Sequence, residues 1–192
     1  MRVLIPISEV LKIRVLRLEK YRELIELMLL SSISFFIPVL IGHPQILVGI
    51  VVNALIVRSA LTMERWKNLP TIFLPCLGAL SRGILFGPFT FYLFNLIPFI
   101  WLGNFILAYF TKVFSQINVK LSFAIQIIVP GILKGIVIFL PTLLLVHYSV
   151  IPASFLSSMG LTQFITAIMG SLLAQGVTKK ELSYLSKGED YE

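Results

Sequence analysis

Between Leu24 and Ala174 the chain is a succession of apolar runs, broken only by short polar or Gly/Pro turns. A helix of about 20 apolar residues matches the roughly 30 Å hydrocarbon core of a bilayer. Composition agrees with that reading. Apolar residues make up 57% and charged residues 13% of the 192 positions, with mean hydropathy +0.95. Soluble domains average about 45–50% and about 25%. A soluble enzyme, a large ligand-binding ectodomain and a nucleotide-binding domain are excluded. The net charge of +7 is better explained by membrane topology than by nucleic acid, and no nucleic-acid partner is expected.

Six spans can be drawn. The first runs from about Leu24 to Ile41 and stops at Gly42-His43-Pro44; the second, about Gln45 to Leu61, ends in Met63-Glu64-Arg65-Trp66-Lys67-Asn68. A third, about Leu69 to Phe86, contains Pro70 and Pro75 and closes on Gly87-Pro88. The fourth, about Phe89 to Phe110, is rich in aromatics; the fifth, about Leu121 to His147, holds Pro130 and Pro141; the sixth runs from about Pro152 to Ala174. Three regions result: a basic cytoplasmic or interfacial segment over 1–23, a six-helix transmembrane domain over 24–174, and a polar cytoplasmic tail over 175–192. The first region suits either an interfacial helix capped by Ser8 on an anionic leaflet or a solvated lead-in that sets topology. Its long basic stretch precedes no cleavage site, so the first apolar run reads as a retained anchor.

Loop charges test this division independently. Lys and Arg collect in the N-terminal segment, the second-to-third loop, the fourth-to-fifth loop and the tail. The connections around His43, Gly87 and Tyr148 carry none, apart from Arg82. Alternate loops are therefore basic, as expected of an even number of spans with both termini in the cytoplasm. The expected fold is an all-α integral membrane protein, a six-transmembrane-helix bundle, multi-pass in the cell (plasma) membrane. No internal repeat relates its halves.

Residue chemistry narrows the function. Cys76 is the only cysteine, His43 and His147 the only histidines, and Asp190 the only aspartate. No disulfide, metal site or cofactor is expected. Every acidic residue lies in the N-terminal segment, a loop or the tail, with Glu26 at the edge of the first span. A proton- or cation-coupled carrier commonly needs a mid-membrane carboxylate, so autonomous coupled transport is not expected.

Basic residues do enter the spans. Lys134 falls about midway along the fifth, Arg82 near the outer end of the third, and Arg58 near the cytoplasmic end of the second. A charge at such depth faces a cavity or a partner. A bound anion would serve Arg82 or Lys134. Equally, Arg82 can snorkel to the interface and Lys134 can bond carbonyls freed by Pro130. Among uncharged polar residues, Asn53, Asn95 and Gln163 fall in the middle or outer half, while Asn104 and Gln126 are further polar positions in the fourth and fifth spans. With Tyr92 and Trp101 the first three could line an outward pocket; interhelical hydrogen bonding is the structural alternative. Gly83-xxx-Gly87 and Gly131-xxx-Gly135 are small-xxx-small pairs, read as helix-packing sites.

Cys76, Arg82 and His147 occur in the order found in exosortase-like membrane transpeptidases. A thiolate nucleophile needs its base within hydrogen-bond reach. Here Cys76 falls in the inner half of the third span and His147 at the outer end of the fifth, two or three turns apart in depth.

A second resemblance covers about residues 24–111. The run Gly49-Ile50-Val51-Val52-Asn53-Ala54-Leu55-Ile56 resembles the second-helix pattern of substrate-binding (S) components of energy-coupling-factor (ECF) vitamin transporters. Ile97-Pro98-Phe99-Ile100-Trp101-Leu102-Gly103-Asn104 is similar to their fourth-helix pattern, and Leu74-Pro75 and Gly87-Pro88 fall where such chains carry prolines around the third helix. The resemblance implies a six-helix bundle that captures one small metabolite from outside and works with a transmembrane coupling subunit and two ATPases. It implies no ATPase activity in this chain. Span one offers Ser31, Ser32 and Ser34 where many members carry an Ala-xxx-Ala docking pattern, and Met1-Arg2 lacks the N-terminal histidine of the cobalt and nickel members.

The expectation is thus a non-enzymatic membrane component for a small anionic or polar metabolite, in contact with membrane lipids and coupling subunits. Arg82 and Lys134 would neutralise the substrate, and Asn53, Tyr92, Asn95 and Gln163 would orient it. The alternatives are a structural or assembly membrane protein and, third, the exosortase-like enzyme.

Overall fold

A computed structural model describes residues 7–41, 43–64, 66–83, 87, 90–117 and 123–189; side chains of 7–19, Arg82 and 179–189 lie outside the description. Among the described residues the fold is all-helical: α1 (Ile7–Leu40), α2 (Gln45–Thr62), α3 (Leu69–Arg82), α4 (Thr90–Leu93), α5 (Ile97–Gln116), α6 (Phe123–His147), α7 (Phe155–Met159) and α8 (Leu161–Glu189). A 3₁₀ turn, Phe94–Leu96, joins α4 to α5. Five helical stretches are long and apolar enough to cross a membrane: Lys20–Leu40, Gln45–Thr62, Thr90–Gln116, Phe123–His147 and Phe155–Thr178. By that measure the chain is a membrane protein.

The boundaries follow local chemistry. Pro70 and Pro98 stand in the first turns of α3 and α5, where a missing N–H costs nothing and φ is already helical. Gly83 ends α3 in the left-handed conformation, φ 64°, which glycine adopts without a Cβ penalty. That early stop leaves α3 at 14 residues, about 21 Å, shorter than the third span drawn from sequence. It also corrects the Gly83-xxx-Gly87 reading: both glycines have positive φ and lie beyond the helix, so this pair serves the turn and not helix packing. Gly131 and Gly135 do face a partner helix, α8, at Ile168 and Phe164.

Around the bundle, α1 packs on α3, α3 on α5, α5 on α6, α6 on α8 and α8 on α2; α2 also touches α1 and α5 across the interior. Closest approach is bought with glycine. A Cβ on Gly170 of α8 would lie 2.7 Å from both Asn53 Cβ and the Ile50 carbonyl oxygen, and one on Gly49 of α2 would lie 2.9 Å from Thr166 Cγ2. A Cβ at Gly78 of α3 would collide with the Phe35 carbonyl of α1.

Apolar and polar residues are distributed inside out relative to a soluble protein. Leu24, Met28, Phe36, Phe91, Leu144 and Leu173 are exposed, whereas Lys134, Asn53, Asn104, Thr142 and Thr166 are buried. Two apolar clusters fill the interior. One centres on Val52, Ile56, Ile72, Leu107 and Ala167; the other on Cys76, Leu96, Ile100, Ile138 and Phe155. The buried polar groups Asn53, Asn104 and Lys134 fall between them in helix register.

Candidate functional site

Lys134 stands near the midpoint of α6, Asn53 near that of α2, Asn104 in α5 and Thr166 in α8, so helix register brings four polar residues to one depth. Lys134 is 2% exposed. Its Nζ donates to Asn53 Oδ1 at 2.5 Å and to Asn104 Oδ1 at 2.6 Å. An ammonium has only donors, so each amide must turn its oxygen toward it. The freed Nδ2 groups are also engaged: Asn53 donates to Thr166 Oγ1 at 3.1 Å, and Asn104 to the Ile72 carbonyl of α3 at 3.1 Å. Thr166 Oγ1 in turn donates to the Gln163 carbonyl at 3.2 Å. One network therefore ties α2, α3, α5, α6 and α8 together.

The same residues line a partly open cavity of about 90 Å³. Asn53, Asn104 and Lys134 contribute polar surface at mid-depth, and Val48, Val52, Pro75, Ala79, Ile100 and Met159 contribute apolar wall. Gln45, Thr162 and Gln163 line it as well. Gln45 opens α2 and Met159 closes α7, which places that part of the cavity toward the end of the bundle bearing the α1–α2 and α6–α7 connections.

Electrostatically the site is one-sided. Asn53 and Asn104 accept hydrogen bonds but carry no charge, so among the described residues Lys134 has dipoles for partners and no counter-charge. Among the described residues the third ammonium proton has no partner, on a side chain that lines the cavity. Two carboxamides, and not the backbone carbonyl freed by Pro130 that the sequence suggested, are the partners of Lys134 among the described residues.

Of the residues singled out by sequence, Lys134, Asn53 and Gln163 come together at the cavity. Asn95 is exposed in the 3₁₀ turn, and Tyr92 packs its ring against Phe155, 6.3 Å centroid to centroid; neither lines the cavity. The Arg82 side chain lies outside the described residues. Trp101 donates Nε1–H to the Phe73 carbonyl at 3.2 Å, an α5–α3 tie and not a pocket wall. Arg58 meets Glu26 at 3.1 Å and Thr178 at 3.1 Å. Cys76 faces the cavity, while His147 is exposed at the end of α6 beside Tyr148.

Asn104 and Thr166 belong to the site but not to the set chosen from sequence. Polarity was the available signal: Asn104 is an amide inside an apolar span, as Asn53 is. Thr166 carried no signal, because a threonine in a membrane helix ordinarily bonds its own backbone.

No family model, curated protein or solved structure matches the chain.

Proposed function

We propose that this chain is the substrate-binding component of an ECF-type importer, taking a small anionic or polar metabolite into the cavity beside Lys134. On this reading it crosses the cell membrane six times, α3 being the short crossing, with both termini in the cytoplasm. The single observation that carries ligand binding is Lys134: a buried amine, held among the described residues only by neutral oxygens, on the wall of a cavity. A buried charge without a counter-charge is costly, and an anionic ligand offsets that cost.

Charge distribution supports the orientation. Lys67 pairs with Glu23, Arg58 with Glu26, and Lys112 donates to the Met63 carbonyl, all where α2 ends and α3 begins. With that basic end in the cytoplasm, the mouth near Gln45 and Met159 faces outward. The coupling subunit and two ATPases come from the resemblance over about residues 24–111 alone.

A second reading has its own observation. The network of Lys134, Asn53, Asn104 and Thr166 joins five helices without a ligand, which is what a structural or assembly protein requires. Purification of the tagged chain from its native membranes, with cross-linking before solubilisation, separates the two. Recovery of a transmembrane coupling subunit with two ATPases supports the importer. A chain recovered without them, cross-linked or not and across several mild detergents, overturns it.

A further inference from the structure

We infer that the cavity takes a short-chain monocarboxylate whose far end carries a polar, uncharged group. This rests on the ligand-binding reading above and narrows it to a charge, a size and a polarity pattern.

The charge follows from donor arithmetic. Lys134 spends two of its three protons on Asn53 and Asn104. Those amides cannot turn to offer N–H groups instead, because their Nδ2 atoms are committed to Thr166 Oγ1 and the Ile72 carbonyl. The described site therefore offers one charge and one charge-assisted hydrogen bond to an incoming group. A monoanion is neutralised there; a dianion would leave one charge buried and uncompensated.

Size follows from the cavity. Its 90 Å³ corresponds to about three waters at roughly 30 Å³ each, and the cavity is partly open, so an acid of about four carbons would reach from Lys134 toward the mouth. Polarity follows from the wall. Val48, Val52, Pro75, Ala79 and Ile100 flank the space with no hydrogen-bonding side chain, which suits a methylene segment. Toward the mouth, Gln45 and Thr162 have side chains without a hydrogen-bond partner among the described residues, and the Gln163 amide reaches only Met159 Sδ at 3.9 Å. A hydroxyl or amide on the far end of the ligand would engage them.

The test measures calorimetric binding to the wild-type chain in nanodiscs, with butyrate and 4-hydroxybutyrate as probes and butyramide and succinate as matched neutral and dianionic controls. Both monocarboxylates should bind, 4-hydroxybutyrate more tightly, and each control about 100-fold more weakly. Lys134→Met should abolish butyrate binding. Ala79→Leu, which fills the cavity and leaves the network intact, should do the same. Equal binding of butyramide, tighter binding of succinate, or no binding of either monocarboxylate overturns the assignment. Small molecules released from protein purified out of native membranes distinguish the two levels of failure. A larger or dianionic metabolite there removes the assignment and leaves the site; an empty protein that binds no probe removes both.

Discussion

At the scale of single residues, the question is whether Lys134 holds helices together or waits for a ligand. The two roles predict different stabilities. Lys134→Met leaves the buried Asn53 and Asn104 Oδ1 atoms without a donor, a cost offset by relief from desolvating an ammonium that has no counter-charge. A residue kept for binding should therefore tolerate this change in the ligand-free protein. Asn104→Leu should behave oppositely: it removes one of two acceptors from a buried ammonium and should cost about 1–3 kcal/mol. Thermal unfolding of both variants in the same detergent checks the pair, and a Lys134→Met variant less stable than Asn104→Leu contradicts the functional role. Much of this site is legible from sequence. Asn53 and Lys134 stand out as polar residues in the middle of apolar spans, and Gln163 does so on the sixth. What sequence leaves open is helix rotation: Asn95 and Asn104 lie on one span, yet only Asn104 turns inward. Rotation is set by packing between helices, and no run of apolar residues encodes it when both lipid and core are apolar.

Elements meet through glycine, and the α2–α8 crossing is the one that positions the network. Gly170 lets α8 lie against Asn53 and Ile50, which holds Thr166 within reach of Asn53 Nδ2. Gly170→Ala should destabilise the protein by about 1–3 kcal/mol through overpacking and weaken ligand binding by displacing Asn53. Gly176→Ala, on the same helix with nothing within 4 Å, is the control; it should be neutral or stabilising by up to about 1 kcal/mol. Equal unfolding temperatures for the two variants would show that the crossing is loose. Helix limits were readable because proline and glycine punctuate them: α2 starts and ends within one residue of the second span. The third helix was not, since Gly83 looks identical in sequence whether it packs inside a helix or caps it with positive φ. The distinction lies in backbone geometry that only the tertiary turn to Thr90, which donates to the Gly83 carbonyl at 3.0 Å, makes explicit.

For the whole molecule, charge placement and the cavity mouth make one linked prediction about orientation. In a Cys76→Ala background, a cysteine replacing Tyr148 should react with a membrane-impermeant maleimide added to intact cells, and one replacing Ser115 only after permeabilisation; both positions are exposed. Labelling of both from outside would contradict the six-crossing topology. At the site the proposed function requires that a small anion occupy the cavity beside Lys134. The most direct measurement is mass spectrometry of small molecules carried by the wild-type chain and by Lys134→Met, each purified gently from native membranes in equal amount. An anionic metabolite should be enriched on the wild type and missing from Lys134→Met. The same small-molecule content on both proteins would contradict it.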